Sequence, residues 1–323
     1  MRAHFSLALL LAACGATGDM ASPSTYVPSA GAGPFTKLAA DPSLSINAPF
    51  VLRAPGADLG EPSVIANGSK LTLWVSVTRT TSSGMMSDIE RATADSALTD
   101  GFGALTPVLA ADQPWEMGAL RSPSIVAPSK SGEPWLLFYA AGGAIGYARS
   151  TDGVTFTKVA GPQFIARESA VTLDAVSATR VGEQVFVFYV KRAAAWREAV
   201  QFAALAAAEL PTSQELPTLV VGNDALFSTA PWANSGIGHV SARAVITPAG
   251  RVRHDVFFDA EIGPVTSVGW AAAFEDSPFS IDATPVLIGP AHAPTVVAYG
   301  DQSLCLYVDQ LAGNAAIGAA TGP

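Results

Sequence analysis

The strongest constraint in this sequence is an internal repeat whose first and last copies are incomplete in complementary ways. In the middle of the chain, Ile145-Gly146-Tyr147-Ala148-Arg149-Ser150 reads as a strand, Thr151-Asp152-Gly153 as a turn, and Phe156-Thr157-Lys158-Val159-Ala160 as a second strand. Near the C-terminus only the first half recurs, as Ile317-Gly318-Ala319-Ala320-Thr321. Its missing half stands near the other end of the chain, as Phe35-Thr36-Lys37-Leu38-Ala39. An N-terminal strand that completes the last unit closes a ring. Closure leaves short, protected sheet edges and is the habit of β-propellers.

Two interleaved series mark the units. Ser/Thr-containing strand starts recur at Glu61-Pro62-Ser63, Ser122-Pro123-Ser124, Ala175-Val176-Ser177, Val240-Ser241-Ala242 and Ala293-Pro294-Thr295, with intervals of 61, 53, 64 and 54 residues between the hydroxyl residues. Each start is followed by a glycine where a hairpin turns: Gly68, Gly132, Gly182, Gly250 and Gly300. Apolar, aromatic-rich strands come next, at Leu71 to Val77, Trp135 to Ala140, Val185 to Val190, Val256 to Phe258 and Leu304 to Val308. A proline-led strand precedes each start, beginning at Pro49, Pro107, Pro162, Pro217 and Pro285. The expected fold is therefore all-β: a five-bladed β-propeller of four-stranded antiparallel blades over residues 34–323, the last blade closed by the N-terminal strand. The alanine-rich stretch from Arg192 to Leu210 has helix propensity, but the repeat calls for a loop around Trp196 and a strand from Ala199 to Leu205.

Composition agrees and excludes some functions. Only 14% of residues are charged, against roughly 25% in an average soluble domain, and the chain carries 29 Gly and 23 Pro. The 49% hydrophobic fraction is inflated by 59 alanines, so it does not signal a membrane-spanning chain. A net charge of −9 with scattered Lys and Arg argues against a nucleic-acid partner. Residues 1–13 have a basic start at Arg2 and a short apolar run, the pattern of a cleaved targeting segment. Leu11-Ala12-Ala13-Cys14 resembles the bacterial lipobox, which implies lipidation of Cys14, a flexible tether over residues 14–33, and a protein held at the cell envelope, at the outer membrane by the resemblance of Gly15. An ordinary secretory signal with a chance cysteine is the alternative. Cys305, inside an apolar strand, is then left without a disulfide partner and reads as a small buried hydrophobe.

The blade phrase Trp135-Leu136-Leu137-Phe138-Tyr139-Ala140, with Ile145 to Phe156 after it, resembles the blades of five-bladed glycoside hydrolases of families 43, 32 and 68. Glu61-Pro62-Ser63-Val64 is similar to the Asp-Pro-Ser-Val opening of family 43. The resemblance implies a carbohydrate partner at the central cleft and catalytic carboxyls at the inner strands of the first, third and fourth blades. Glycosidic cleavage ordinarily needs two such groups, one protonated. The matching positions here hold Glu61, Asp174 and, in place of the acid, His239; the catalytic set is thus incomplete, with Glu168 or Glu116 as loop substitutes. Asp174 and Glu61 read equally as groups that line a solvated central channel, or of which one pairs with Arg121. Arg121 and Ser124 are expected to touch substrate. Trp115 and Trp232 either stack on sugar rings or plug blade interfaces. No cofactor is required, although His292 is a candidate ligand for a central calcium or else a rim residue. Asp152 is expected to cap its own turn. The competing function is a non-catalytic surface protein that uses the propeller for binding or assembly.

Overall fold

A computed structural model describes residues 33–38, 50–68, 70–95, 98, 101–194, 196–206, 213–214, 217–233, 235–262, 265–275, 277–309 and 314–323. The expected leader, Cys14 and most of the tether lie outside these residues, and so does Ala39. Among the described residues no helix is long and apolar enough to cross a membrane.

The chain opens with two short strands, β1 (Thr36–Lys37) and β2 (Phe50–Leu52). The next sheet runs β3 (Ala57–Asn67), β4 (Lys70–Thr81), β5 (Gly84–Asp95) and β6 (Thr106–Leu109) in order. A second is built on β7 (Arg121–Val126), β8 (Trp135–Ala141) and β9 (Ala144–Ser150), extended by β10 (Thr157–Lys158) and β11 (Phe164–Ile165). The third contains β12 (Thr172–Val181), β13 (Gln184–Ala193) and β14 (Trp196–Ala206); β15 (Ser213–Gln214) leaves it to pair with β11, and β16 (Pro217–Val221) completes it. After helix α1 (Asn223–Thr229), the fourth sheet comprises β17 (Val240–Ile246), β18 (Val252–Ile262), β19 (Val265–Phe274) and β20 (Ser280–Ile281). The last sheet is β21 (His292–Tyr299), β22 (Gln302–Asp309) and β23 (Ala316–Gly322), on which β1 and β2 also pair. The architecture is an all-β propeller.

Two departures from uniform four-stranded antiparallel blades stand out. The sheets built on β9 and β23 carry extra strands, because the Phe-Thr-Lys strand and the proline-led strand both pair with the same third strand. The β11–β15 pairing is parallel. The stretch around Trp196 is strand rather than loop, since β14 pairs with β13 from Ala193↔Trp196 onward. Repeat logic thus overrides alanine's helix propensity and reaches further than expected.

The repeat motifs have physical causes. All five hairpin glycines have positive φ, from 58° at Gly182 to 86° at Gly132, and space around a Cβ at each is open. Glycine is therefore selected by backbone conformation, not by crowding. The hydroxyl series joins neighbouring inner strands. Ser63 Oγ accepts from Ile125 N–H at 3.1 Å, Ser124 Oγ from Ala178 N–H at 2.7 Å, Ser177 Oγ from Ala242 N–H at 2.8 Å, and Ser241 Oγ from Val296 N–H at 3.4 Å. Each inner strand faces a neighbour it cannot pair with as a ladder, and the serine satisfies a backbone donor that would otherwise be buried unpaired. Between these strands and the second strands lie the apolar clusters that hold the sheets together, for example Leu71, Leu73, Val75 and Val77 of β4 with Leu304, Leu306 and Val308 of β22.

Candidate functional site

Four inner strands carry a β-bulge just before the hydroxyl residue: between Gly60 and Ser63, Arg121 and Ser124, Asp174 and Ser177, and His292 and Thr295. The bulged residues Glu61, Ser122, Ala175 and Ala293 have φ between 38° and 47°. Non-glycine residues in this region cost of order 1–3 kcal/mol each, and bulges serve to re-aim a side chain. The fourth inner strand has no such register shift. At its equivalent position stands His239, held by Asp259 from the second strand of its own sheet.

Glu61, His239 and Asp259 form one network. Asp259 Oδ1 accepts the His239 backbone N–H at 2.5 Å and Asp259 Oδ2 lies 2.8 Å from His239 Nδ1. The other ring nitrogen, Nε2, is 3.6 Å from Glu61 Oε1. Glu61 Oε2 also accepts from the Ser76 hydroxyl and, at 3.4 Å, from Ser122 N–H. Asp259 Oδ2 takes a further bond from Ala293 N–H at 2.8 Å. The network therefore ties four sheets together across the axis. Gly238 makes it possible: a Cβ there would come within 2.4 Å of Asp259 Oδ1.

Electrostatics fix the charge state. Burial disfavours the imidazolium, but the charge and hydrogen bond of Asp259, then those of Glu61, outweigh it and raise the His239 pKa to about 10. Burial likewise pushes Glu61 up, yet the bond and charge of His239, with Ser76 and Ser122 N–H, leave it below the usual glutamate value. Asp259 is lowered in the same way by His239, Ala293 N–H and His292. At neutral pH the trio is carboxylate, imidazolium, carboxylate.

A cavity of about 640 Å³ opens over this network, lined among others by Asp58, Glu61, Met85, Arg121, His239 and His292. Of the residues singled out in the sequence, Glu61, Arg121, His239 and His292 come together at this cavity, and the rest stand elsewhere. Asp174 stands one position before its bulge and pairs with Arg192 at 2.9 Å instead of lining the cavity. Ser124 is buried, accepts Ala178 N–H at 2.7 Å and is not in the cavity lining. Trp115 stacks on Tyr139 at 5.9 Å and donates to Gln113 Oε1 at 2.7 Å; Trp232 stacks on Phe258 at 6.3 Å. Both pack against these rings, and neither is in the cavity lining, which contains no Phe, Tyr or Trp among the described residues. Glu168 is held by Lys191 at 3.1 Å. Glu116 is fully buried and spent on Tyr139, Lys158 and Gln113 N–H. Neither supplies a carboxyl to the cavity. His292 lines the cavity, and no group of three or more His, Cys, Asp or Glu able to hold a metal exists among the described residues.

Two other expectations concern residues remote from the cavity. Asp152 Oδ1 accepts Val154 and Thr155 N–H, both at 2.8 Å, and these bonds lower its pKa to about 2. Cys305 is fully buried, and burial pushes its thiol up to about 12, well away from nucleophilic use.

Asp259 was missed in the sequence. In strand register it is equivalent to Ser76, Ala140, Val190 and Val308, each two residues beyond the partner of the hydroxyl position or its counterpart. Three of those five positions are apolar, and the two polar ones are those that bond Glu61 and His239. Aligning second strands in that register would have exposed it.

No family model matches this chain, and no curated protein does either. Solved structures do. A thermostable family-43 glycoside hydrolase superposes with TM-score 0.60 at 12% identity, covering 87% of this chain and 92% of that one. A structure from the family 130 mannoside phosphorylases, a family said to contain glycoside hydrolases that target β-1,2 mannosidic linkages in Candida mannan, gives TM-score 0.60 at 13% identity, over 92% and 96%. An α-L-arabinofuranosidase from Podospora anserina in complex with cellotriose gives TM-score 0.60 at 12% identity, over 91% and 98%. Over 87–92% of its length, then, this chain shares the β-propeller fold of these structures.

Proposed function

We propose that this protein is an extracytoplasmic, lipid-anchored five-bladed propeller that binds carbohydrate in the cavity over Glu61 and His239 without hydrolysing it by the two-carboxyl route. The charge state of the trio carries the reading. Hydrolysis by paired carboxyls needs one of them protonated and poised near the working pH. Glu61 is held ionised, Asp174 is spent on Arg192, and His239 keeps its proton up to about pH 10. Comparable structures are glycoside hydrolases, one with an oligosaccharide bound, which supports a sugar as ligand. The five-blade count and closure are supported by the five sheets and by the contact of β21 with β3, which follows the serine-linked sequence of β3, β7, β12, β17 and β21. The anchor rests on the Leu11 to Cys14 motif alone.

The test is to incubate the purified domain from Ala21 with arabinan, xylan, mannan, fructan and their oligosaccharides. Thermal stabilisation by at least one glycan, without reducing-end release, is expected, and Glu61→Gln should weaken it. Reducing-end release that vanishes in Glu61→Gln overturns the non-catalytic reading; neither stabilisation nor release overturns the carbohydrate reading. For the anchor, acylation should be detected by mass on the full chain and lost in Cys14→Ala.

A further inference from the structure

We infer that the cavity selects a carboxylate-bearing sugar, a uronic acid unit, through Arg121; the inference rests on the carbohydrate reading above. Most charges in and beneath the cavity are already committed. Glu61 is bonded by Ser76, Ser122 N–H and His239, and Asp259 by two groups of His239 and by Ala293 N–H. His239 divides its positive charge between those two carboxylates. Asp58 accepts Ala315 N–H at 2.9 Å. Arg121 and His292 also line the cavity and have no side-chain hydrogen bond or ion pair among the described residues, but His292 is half-buried, whereas Arg121 is exposed and carries a permanent charge.

Its placement is fixed, unlike that of a loop arginine. Arg121 pairs with Ala140 at the edge of the bulge, and the next peptide turns its N–H, at Ser122, onto Glu61. The backbone carrying the guanidinium is therefore held against the trio. Two of the four other pre-bulge positions are Gly60 and Gly238, which project no side chain into the space. Glu61 is the natural counter-ion for a neighbouring arginine, yet its oxygens are filled by Ser76, Ser122 and His239. What the cavity offers a ligand is a planar fork of N–H donors that never deprotonates, the geometry that matches a carboxylate with two parallel bonds. Met85, 71% exposed on the β4–β5 hairpin and also lining the cavity, offers an apolar surface to the sugar's ring face.

Calorimetric titration of the purified domain tests this with oligogalacturonate and oligoglucuronate, the methyl esters of both, and neutral xylo-, manno- and arabino-oligosaccharides. At least one acid should bind tenfold or more tighter than its own ester, with an affinity that weakens as salt is added. Arg121→Gln should abolish that preference by a loss of roughly tenfold to a hundredfold, and Arg121→Lys should retain part of it. Equal binding of acid and ester, or a preference that survives in Arg121→Gln, overturns the inference and leaves the carbohydrate reading standing. Binding of neutral sugars alone does the same. If no glycan of either kind binds, the carbohydrate reading fails and takes this inference with it. Should the variants not fold, the acid and ester comparison on the unaltered protein still decides.

Discussion

His239 is the residue on which the centre of the molecule turns, and its ionisation predicts how stability follows pH. Its pKa in the folded protein is raised to about 10, against about 6.5 for an unperturbed histidine. A raised pKa contributes stability that is fully present below the unfolded value and is lost as pH rises through the folded one. Glu61 and Asp259 are lowered, so their contribution is present above the ordinary carboxylate range and is lost in acid. The melting temperature should therefore decline from about pH 6.5 to about pH 10, and His239→Gln should flatten that alkaline limb. Thermal melts of both proteins across pH 5 to 11 check it; parallel limbs would remove the imidazolium from the account. Asp259→Ala should cost about 3 kcal/mol, since removing one partner of a buried pair strands the other, and Glu61→Gln less, because Glu61 is the more exposed carboxylate. Glu61 and His239 were legible together because both stand two residues before the hydroxyl position of the repeat. Asp259 was harder to read for a physical reason: its role depends on a cross-strand contact that Gly238 permits, and it stands out only when the second strands are aligned in register.

At the scale of elements, the hydroxyl series was legible as a repeat but not as a device. A serine before an inner strand reads equally as a ligand contact or as a staple, and only the register shows that Oγ faces the next sheet's backbone. The prediction separates the two roles. Ser124→Ala leaves the buried Ala178 N–H without an acceptor and should cost about 1–3 kcal/mol, and Ser177→Ala should cost less because the Ala242 N–H is only part-buried. Glycan affinity should be unchanged in Ser124→Ala, and chemical denaturation beside calorimetry would show this. A fall in affinity with no loss of stability would return Ser124 to the binding site. The tryptophans illustrate the same limit. Trp115 and Trp232 precede inner strands as expected, but each stacks, half-buried, on an aromatic ring of the adjoining sheet, Tyr139 or Phe258.

At the scale of the whole molecule, the Phe-Thr-Lys duplication predicted where the chain's beginning goes, and its register can be compared copy by copy. Lys158 pairs opposite Ala148, two residues beyond the glycine that faces Tyr139; Lys37 pairs opposite Ala320, two residues beyond the glycine that faces Tyr307. Each lysine then lies over its tyrosine, at 5.7 and 4.8 Å, and serves a buried acid, Glu116 at 2.7 Å or Asp309 at 3.8 Å. Lys158 reaches its acid from within one continuous stretch of chain, whereas Lys37 is 272 residues before Asp309 in sequence. The same local contacts therefore have different consequences. Losing Lys158 unsettles one sheet, while losing the strand that carries Lys37 leaves the outer edge of β23 partly open and the two ends of the chain less firmly joined. Deleting residues 34–38 should lower the melting temperature by more than Lys37→Met does, and should add concentration-dependent association through the freed edge. Differential scanning calorimetry with size-exclusion chromatography at two protein concentrations measures both. A deletion that melts with the parent and stays monomeric would mean that β1 decorates the last sheet without closing the ring.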